Sequence, residues 1–483
     1  MIPFQRAANG LGLIAFLALG ACAGKPPYAR PEMALPQTFR NAPPAEALTA
    51  IPAVDPRWWR GFGDPVLDRL VDQALTDSLT LEAAAARLDQ AAAGLRAAQA
   101  ARRPLLNGQA SATEQRASIA DQVGQGVSRS PGYQRAADVY NLGLAASWEI
   151  DLFGRLAAAS RAARADLAAA KANVAGARLT VAAEVASAYL DARELQARLA
   201  VAKARVGTLA ELDRLVRLRV ARGVAARLEG DQTAANLAGA RAAIPALEAG
   251  LEAQYNRIDV LLGRVPGAAR IDLGEGAIPA APAVAAEGGP AALLFRRPDL
   301  AAAERAVAAA DARVAQALAE RWPRLNLAAA IGVLSAGTSN LFTESAMQTS
   351  VSGTLAGPVL DFGRNRANVA RARAVTREAV ANYRQAVLQA AAEAENGFAT
   401  LARRREQAQA LADSAAALDR ARVASRTAYQ AGAVSLIEAL DAERRLQAAQ
   451  DNLATAQADA ARAAVSTYRA LGGGWQTSDL ARN

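Results

Sequence analysis

The chain has 483 residues, a length that usually corresponds to two or three domains, and a formal net charge of +9. Alanine makes up roughly a quarter of the residues and aromatics only 5%, so one large close-packed core is not expected. Histidine is absent and cysteine occurs once, which removes the usual zinc, haem and Cys/His nucleophile sites, and the positive charges are spread along helical segments. The composition therefore argues against an enzyme, a metal, a cofactor and a nucleic-acid partner.

Residues 1–21 predict a signal peptide, because Arg6 is followed by an apolar run at residues 11–19 that is too short to span a bilayer. The run ends in Leu19-Gly20-Ala21-Cys22, which resembles a bacterial lipobox. Acyl chains on Cys22 would give lasting attachment to lipid, and Ala23 in the next position favours the outer membrane. The alternative is an ordinary cleavage site with an incidental cysteine.

Two halves of the chain repeat each other. Phe153-Gly154-Arg155 recurs as Phe362-Gly363-Arg364 at an offset of 209 residues, and Pro104 recurs as Pro323 at an offset of 219. The segment between the proline and the phenylalanine is thus ten residues longer in the first copy, and an insertion of that kind belongs in a loop.

Each copy predicts a long helical hairpin. Apolar residues or alanine recur every seven positions from Leu167 to Val216, which is typical of a coiled coil, and residues 155–219 would form a helix of roughly 95 Å. The matching helix covers residues 364–429. Gly223 and Gly432 end these helices, and a second helix follows each glycine, at about 226–262 and 434–471. A shorter helix precedes each proline, at about 79–102 and 299–321.

Between proline and phenylalanine the hydrophobic period changes from seven to two. Residues 142–152 alternate apolar with polar or small side chains, and 106–113, 325–333 and 351–359 alternate in the same way. The sequence therefore predicts two β-hairpins of a length that crosses a bilayer, with tips at 118–134 and 335–346. Four strands cannot close a barrel, so the chain must oligomerise. Two copies would give eight strands without a lumen and three would give twelve with one. Soluble hairpins on a periplasmic coiled coil are the alternative.

The chain resembles the outer membrane factor family, the TolC-like channels, and within it the NodT-type lipoproteins that serve resistance-nodulation-division efflux systems. The resemblance covers the mature chain and rests on Trp58-Trp59, Phe62-Gly63-Asp64-Pro65, Arg296-Arg297-Pro298-Asp299-Leu300, Leu360-Asp361-Phe362-Gly363-Arg364 and Tyr429-Gln430-Ala431-Gly432. It implies a mainly α fold with a membrane β part. In that fold three chains each give four strands to a shared twelve-stranded barrel, which a long α-helical coiled-coil tunnel continues.

The same resemblance implies a periplasmic gate at the helix tips, formed by Glu229, Tyr429, Glu438 and Asp441. Glu438 and Asp441 share one helical face, so threefold symmetry would stack rings of carboxylates around the axis. Val434 stands where relatives can carry a basic residue, and Arg444 would supply the cation. The alternative is that these acids lie early in a helix because its dipole favours them there.

The resemblance further implies a passive exit duct for drugs or other small molecules, with a periplasmic adaptor protein and an inner membrane pump as partners. A channel for type I protein secretion and a lipid-anchored periplasmic scaffold remain as alternatives. We expect a lipidated N-terminal segment and collar (22–63), a first repeat (64–263), a linker and collar (264–297), a second repeat (298–472) and a C-terminal tail (473–483).

Overall fold

The structure is a computed structural model that describes residues 28–43, 57–116, 118–120, 122–127, 129–131, 133–285, 289–473 and 475. The predicted signal peptide and Cys22 lie outside these residues, as do parts of the predicted collar segments. The described part is mainly helical with one four-stranded sheet, so the predicted fold class is confirmed. None of the described helices combines the length and the apolarity needed to cross a membrane.

The helices and strands follow the predicted duplication. In the first repeat they are α1 (Pro65–Asp77), α2 (Leu79–Ala100), β1 (Leu105–Arg116), α3 (Gln122–Val127), β2 (Ala136–Ile150), α4 (Arg155–Ala221) and α5 (Arg227–Leu261). Two short helices, α6 (Ala269–Leu273) and α7 (Gly289–Arg296), lead to the second repeat, which contains α8 (Pro298–Ala319), β3 (Arg324–Ser335), β4 (Met347–Ala356), α9 (Arg364–Gln430) and α10 (Leu436–Ala470). The equivalent helices have equal lengths of 22, 67 and 35 residues.

All four strands differ from the prediction at their ends, and β2 and β4 differ most. β2 begins at Ala136, six residues before the predicted start, and ends at Ile150. β4 begins at Met347 and ends at Ala356, three residues before the predicted end. The sequence continues with Gly357 and Pro358, and a proline has no N–H to donate to a strand ladder. The alternation of apolar residues continues past that point, which is why it overestimated the strand.

The chain divides into two compact units. One comprises the described residues within 28–31, 90–167 and 305–381 and contains the sheet, whose strands follow the order β1-β2-β3-β4 with every neighbouring pair antiparallel. The sequence predicted two hairpins but not that they join, through β2 and β3, in one sheet.

The other unit comprises the described residues within 32–89, 168–304 and 382–475 and has an apolar core in which Leu67, Leu70 and Tyr189 are fully buried. Asp64 caps α1 by accepting hydrogen bonds from the backbone N–H groups of Val66 and Leu67, and it also accepts one from the Tyr189 hydroxyl.

Segments predicted to form a collar pack against the middle of the long helices within this unit. Phe39 contacts Phe398 with ring centroids 5.4 Å apart, and the side chain of Glu395 accepts hydrogen bonds from the backbone of Arg40 and Asn41. On α4, the guanidinium of Arg193 donates to the carbonyls of residues 273 and 274.

Candidate functional site

The two long helices end in the same way, through a glycine whose backbone is left-handed. Gly223 has φ 72° and Gly432 has φ 74°, in the region that an L side chain rarely adopts. One residue later the chain turns back: the N–H of Val224 donates to the carbonyl of Arg219, and that of Ala433 to the carbonyl of Ala428. These bonds satisfy the last carbonyls of each helix, so both glycines are helix caps at the predicted hairpin turns.

Glu438 takes part in the cap at the start of α10. Its backbone N–H donates to the Ser435 hydroxyl, and its carboxylate accepts from the Ser435 N–H at 2.7 Å, which together form a capping box. Glu229 holds the equivalent third position of α5, but there the N-cap is Ala226, which has no capping side chain. The capping box gives Glu438 a local role at the start of α10, beside the helix-dipole alternative that the sequence left open.

Tyr429 joins the tips of the two repeats. Its hydroxyl accepts a hydrogen bond from Nη1 of Arg219 at 2.8 Å, and the guanidinium carbon lies 5.9 Å from the centroid of its ring. Arg219 was not among the predicted residues. Its repeat equivalent is Ala428, so the duplication carried no signal for it.

Asp441 forms two ion pairs along α10, with Arg444 at 2.8 Å and with Arg445 at 2.6 Å. The hydrogen bond from Arg444 holds the pKa of the Asp441 carboxyl below its ordinary value. Partial desolvation opposes this, and the bond and charge of Arg445 reinforce it. The predicted cation Arg444 thus contacts the predicted acid, and Arg445 is a second cation that sequence reasoning missed, although it lies four residues from Asp441.

A groove of about 370 Å³ opens beside this ion pair, between α4, α5 and α10. Its floor includes Leu209 and Leu440, which pack with Leu237 and Ala240, and its walls carry Arg205, Asp441 and Arg444. Of the five predicted gate residues, Tyr429, Glu438, Asp441 and Arg444 make the side-chain contacts described above, and no such contact with another described residue is seen for Glu229.

The four-stranded sheet has two chemically different faces, which follow from strand register and from the alternation of side chains along each strand. One face is largely small and polar, with Asn107, Gln109, Ser111, Thr113, Asn141, Ser147, Asn326, Gln348, Ser350, Ser352 and Thr354. The other is largely apolar, with Leu106, Leu142, Leu144, Trp148, Leu325, Leu327, Ile331, Val333, Val351 and Leu355. Large apolar side chains there are exposed in the single chain, for example Leu144 at 48% and Ile331 at 53%.

One charged group on the polar face is paired at the end of β2. Glu149 accepts two hydrogen bonds from the guanidinium of Arg155, at 3.0 and 2.7 Å. The polar face therefore offers mostly neutral hydrogen-bonding groups, while the apolar face lacks any cover within the described chain. A sheet of this kind suits a wall between lipid and water.

Comparison with known proteins supports a sheet that separates lipid from water. The family model described as outer membrane efflux protein matches residues 70–264 and 290–473. The chain belongs to that family. The resemblance inferred from the sequence is thus confirmed, and this efflux protein is an outer membrane channel and not an enzyme.

Relatives match the efflux protein over nearly its whole length. The pyoverdine export outer membrane protein OpmQ of Pseudomonas aeruginosa is 34% identical over 97% of this chain and 98% of its own. The cation efflux system protein CusC of Escherichia coli is 29% identical over 95% of this chain and 97% of its own. Among solved structures, the outer-membrane channel OprN has a TM-score of 0.84 at 32% identity and covers 94% of this chain and 100% of its own.

Proposed function

We propose that three copies of this chain form the passive exit duct of a tripartite efflux system. Each copy contributes its four strands to a twelve-stranded barrel in the outer membrane, and the helical part lines a periplasmic tunnel. The observation that carries the proposal is the two-faced sheet, whose outer strands β1 and β4 each pair with only one strand among the described residues.

Unpaired strand edges make oligomerisation necessary in lipid. Every N–H and C=O without a partner in the hydrocarbon region costs several kcal/mol, so an open four-stranded sheet is not stable there. Eight strands from two copies would enclose only their own side chains, whereas twelve from three copies leave a lumen. The polar face would line that lumen, and the apolar face would contact lipid.

The proposed partners are a periplasmic adaptor protein and an inner membrane pump of the resistance-nodulation-division type, which would supply the energy and open the tips. This chain would catalyse no reaction, and its apolar sheet face would contact lipid. Cys22 would carry acyl chains that hold the amino terminus at the outer membrane. An exposed apolar sheet face and a lipidated cysteine would then act together as two membrane signals.

We propose drugs or other small molecules as the cargo. The two relatives named above concern pyoverdine export and cation efflux, both small solutes, which favours this class over proteins. Type I protein secretion is the competing function. Deletion of the proposed inner membrane pump separates drug efflux from protein secretion. Loss of small-molecule resistance without loss of a secreted protein supports the proposal, and the reverse result refutes it.

We further propose that Tyr429, Asp441 and Arg444 hold the tips closed, with Glu229 and Glu438 beside them. Tyr429 supports this role because its hydrogen bond with Arg219 joins α9 to α4. Asp441 and Arg444 pair within α10 and line the groove between α4, α5 and α10, and threefold repetition would place three such grooves around one axis. Opening would break the Arg219–Tyr429 bond and give the helices another packing.

Single-channel conductance of the purified protein in planar bilayers tests the duct and the gate together. A small conductance that rises in Asp441→Asn supports both proposals. The matched control is Glu443→Gln, which removes one negative charge from the same turn of α10 and should leave conductance unchanged. A wide pore that is insensitive to Asp441→Asn refutes the gate, and no pore at all refutes the duct.

The periplasmic scaffold makes a different prediction for membrane extraction. A protein held only by its lipid would become soluble in Cys22→Ala, whereas a barrel would remain in the outer membrane fraction. Recovery of the variant in the periplasmic fraction would refute the barrel.

A further inference from the structure

The two β-hairpins have the same internal register. Leu106 faces Ala146 in the first hairpin, and Leu325 faces Leu355 in the second. These partners differ by 219 residues on the first strand of each hairpin and by 209 on the second, which are the offsets of the sequence repeat. The sheet is therefore built from one unit used twice, and each hairpin offers the same two edges.

Among the described residues the two hairpins meet at one junction, where β2 pairs with β3. Ile150 faces Leu325 in that junction, and just beyond the strands the ring of Phe153 stacks on Trp322 with centroids 5.2 Å apart and planes 15° apart. The junction covers the end of β2, and Ile150 and Phe153 are accordingly only partly exposed.

The equivalent positions at the free edges are bare. Val359 and Phe362 correspond to Ile150 and Phe153, and they are 102% and 93% exposed. Leu106 corresponds to Leu325 and is 63% exposed. Positions that are covered where the two units meet inside the chain are thus uncovered where the chain's own sheet ends.

We propose that β4 pairs with β1 of a second copy in the register that repeats the β2–β3 junction. Applying the two offsets to the internal junction places Leu355 opposite Ala110 of the partner subunit, and Thr354 opposite Ser111 of the partner subunit. Phe362 then lies against Arg103 of the partner subunit, because Arg103 is the equivalent of Trp322. This inference rests on the proposed shared barrel and adds its register and its contact residues.

The chemistry of both faces agrees with this register. Leu355 and Ala110 are both on the apolar face, and Thr354 and Ser111 are both on the polar face. A slip of one residue would place polar side chains on the apolar side, so it is excluded by burial in lipid. A slip of two residues keeps the faces matched, and the experiment must separate it from the proposed register.

Cysteine pairs in the full-length protein in the outer membrane make that separation. Two double variants test the register, Thr354→Cys with Ser111→Cys and Leu355→Cys with Ala110→Cys. Adjacent antiparallel pairs alternate between a wide and a narrow type, so one of the two has the closer spacing. Two slipped controls combine Thr354→Cys with Thr113→Cys or with Gln109→Cys, whose α-carbons would be about 7 to 8 Å apart, beyond the usual reach of a disulfide.

Disulfides between copies are read after mild oxidation as covalent dimers and trimers on a non-reducing gel. Within one chain, β1 and β4 are three strand spacings apart, about 14 Å, so these pairs cannot bridge internally. Chains with a single introduced cysteine give the background from Cys22. We expect at least one in-register pair to exceed both slipped pairs several-fold.

The other outcomes are distinguishable. Stronger cross-linking of a slipped pair overturns the register while leaving the shared sheet intact. A protein that purifies as a trimer but cross-links at none of these pairs overturns β4–β1 pairing. A protein that purifies as a monomer without cross-links refutes the proposed barrel itself.

Discussion

Replacing Tyr429 by phenylalanine tests whether the contact between the two repeats keeps the tips closed. The change removes the hydroxyl that accepts the 2.8 Å hydrogen bond from Arg219 and keeps the aromatic ring. Because the ring remains, packing and the cation–π contact at 5.9 Å are preserved. The variant therefore isolates one hydrogen bond per copy.

The expected magnitude follows from the exposure of this bond. A hydrogen bond to a charged group contributes about 1.5 to 3 kcal/mol when protected from water, but this pair is exposed, so we take about 0.5 to 1 kcal/mol. If three copies open together, the sum is about 1.5 to 3 kcal/mol in favour of the open state. That corresponds to roughly a 10- to 100-fold rise in the opening equilibrium, at a factor of ten for about 1.4 kcal/mol.

Open probability in planar bilayers measures this equilibrium directly. Arg219→Gln should raise it at least as much, because it removes the cation–π contact as well as the hydrogen bond. Adding Tyr429→Phe to Arg219→Gln should then change little, because the bond is already absent. Arg222→Gln is the matched control, since it removes an exposed charge three residues away. If Tyr429→Phe leaves the open probability at the wild-type level, or if Arg222→Gln raises it equally, the contact does not hold the gate.

Three further predictions concern the pH response of the tips, the sheet and the copy junction. The pKa of Asp441 is lowered, so its carboxylate stays charged above the ordinary value of 3.8 and is neutralised only as the pH falls below that value. Because neutralisation removes the same charge as Asp441→Asn, open probability should rise on acidification through that range in the wild type and stay flat in the variant. Gly332→Ala should reduce the heat stability of the trimer on gels by about 1 to 3 kcal/mol per copy. The added β-carbon would lie 2.6 Å from the Leu142 carbonyl oxygen and 2.8 Å from the α-carbon of Gly143. In the control Gly353→Ala the β-carbon meets only a leucine methyl at 3.5 Å, so the heat stability should not change. Arg103→Trp should raise that heat stability by recreating the Phe153–Trp322 stack between copies, while Arg102→Trp should not, and equal effects of the two would contradict the proposed contact.

The duplication made most of the fold predictable. A constant offset of 209 residues located both long helices, and the structure places their ends within two residues of the predicted positions at Gly223 and Gly432. The period-two alternation located four strands but not their exact ends. At β4 the backbone chemistry of Pro358 ends the strand, and hydrophobicity carries no information about a missing N–H.

The tips were less predictable because their contacts join residues that the repeat does not relate. Arg219 and Tyr429 are 210 residues apart, one more than the repeat offset, and neither has a counterpart of its own type in the other copy. Ser435 and Glu438 form a sequence-level capping box, which predicts the local bond of Glu438 but leaves any role in the lumen to experiment. Propensity and periodicity thus determine where the helices end, while the partners of exposed arginines depend on packing across the hairpins.

The equal register of the two hairpins has a consequence for how the two halves of the gene could diverge. A closed cylinder made of one unit used six times would tolerate only substitutions acceptable at all six places. Because two hairpins are linked in one chain, each substitution needs to be acceptable at only three of the six places. The two halves can therefore differ, and Tyr429 stands where the first half has Val220, and Asp441 where it has Gln232. In the proposed trimer the strands would repeat six times around the barrel, while the side chains at the tips would repeat only three times.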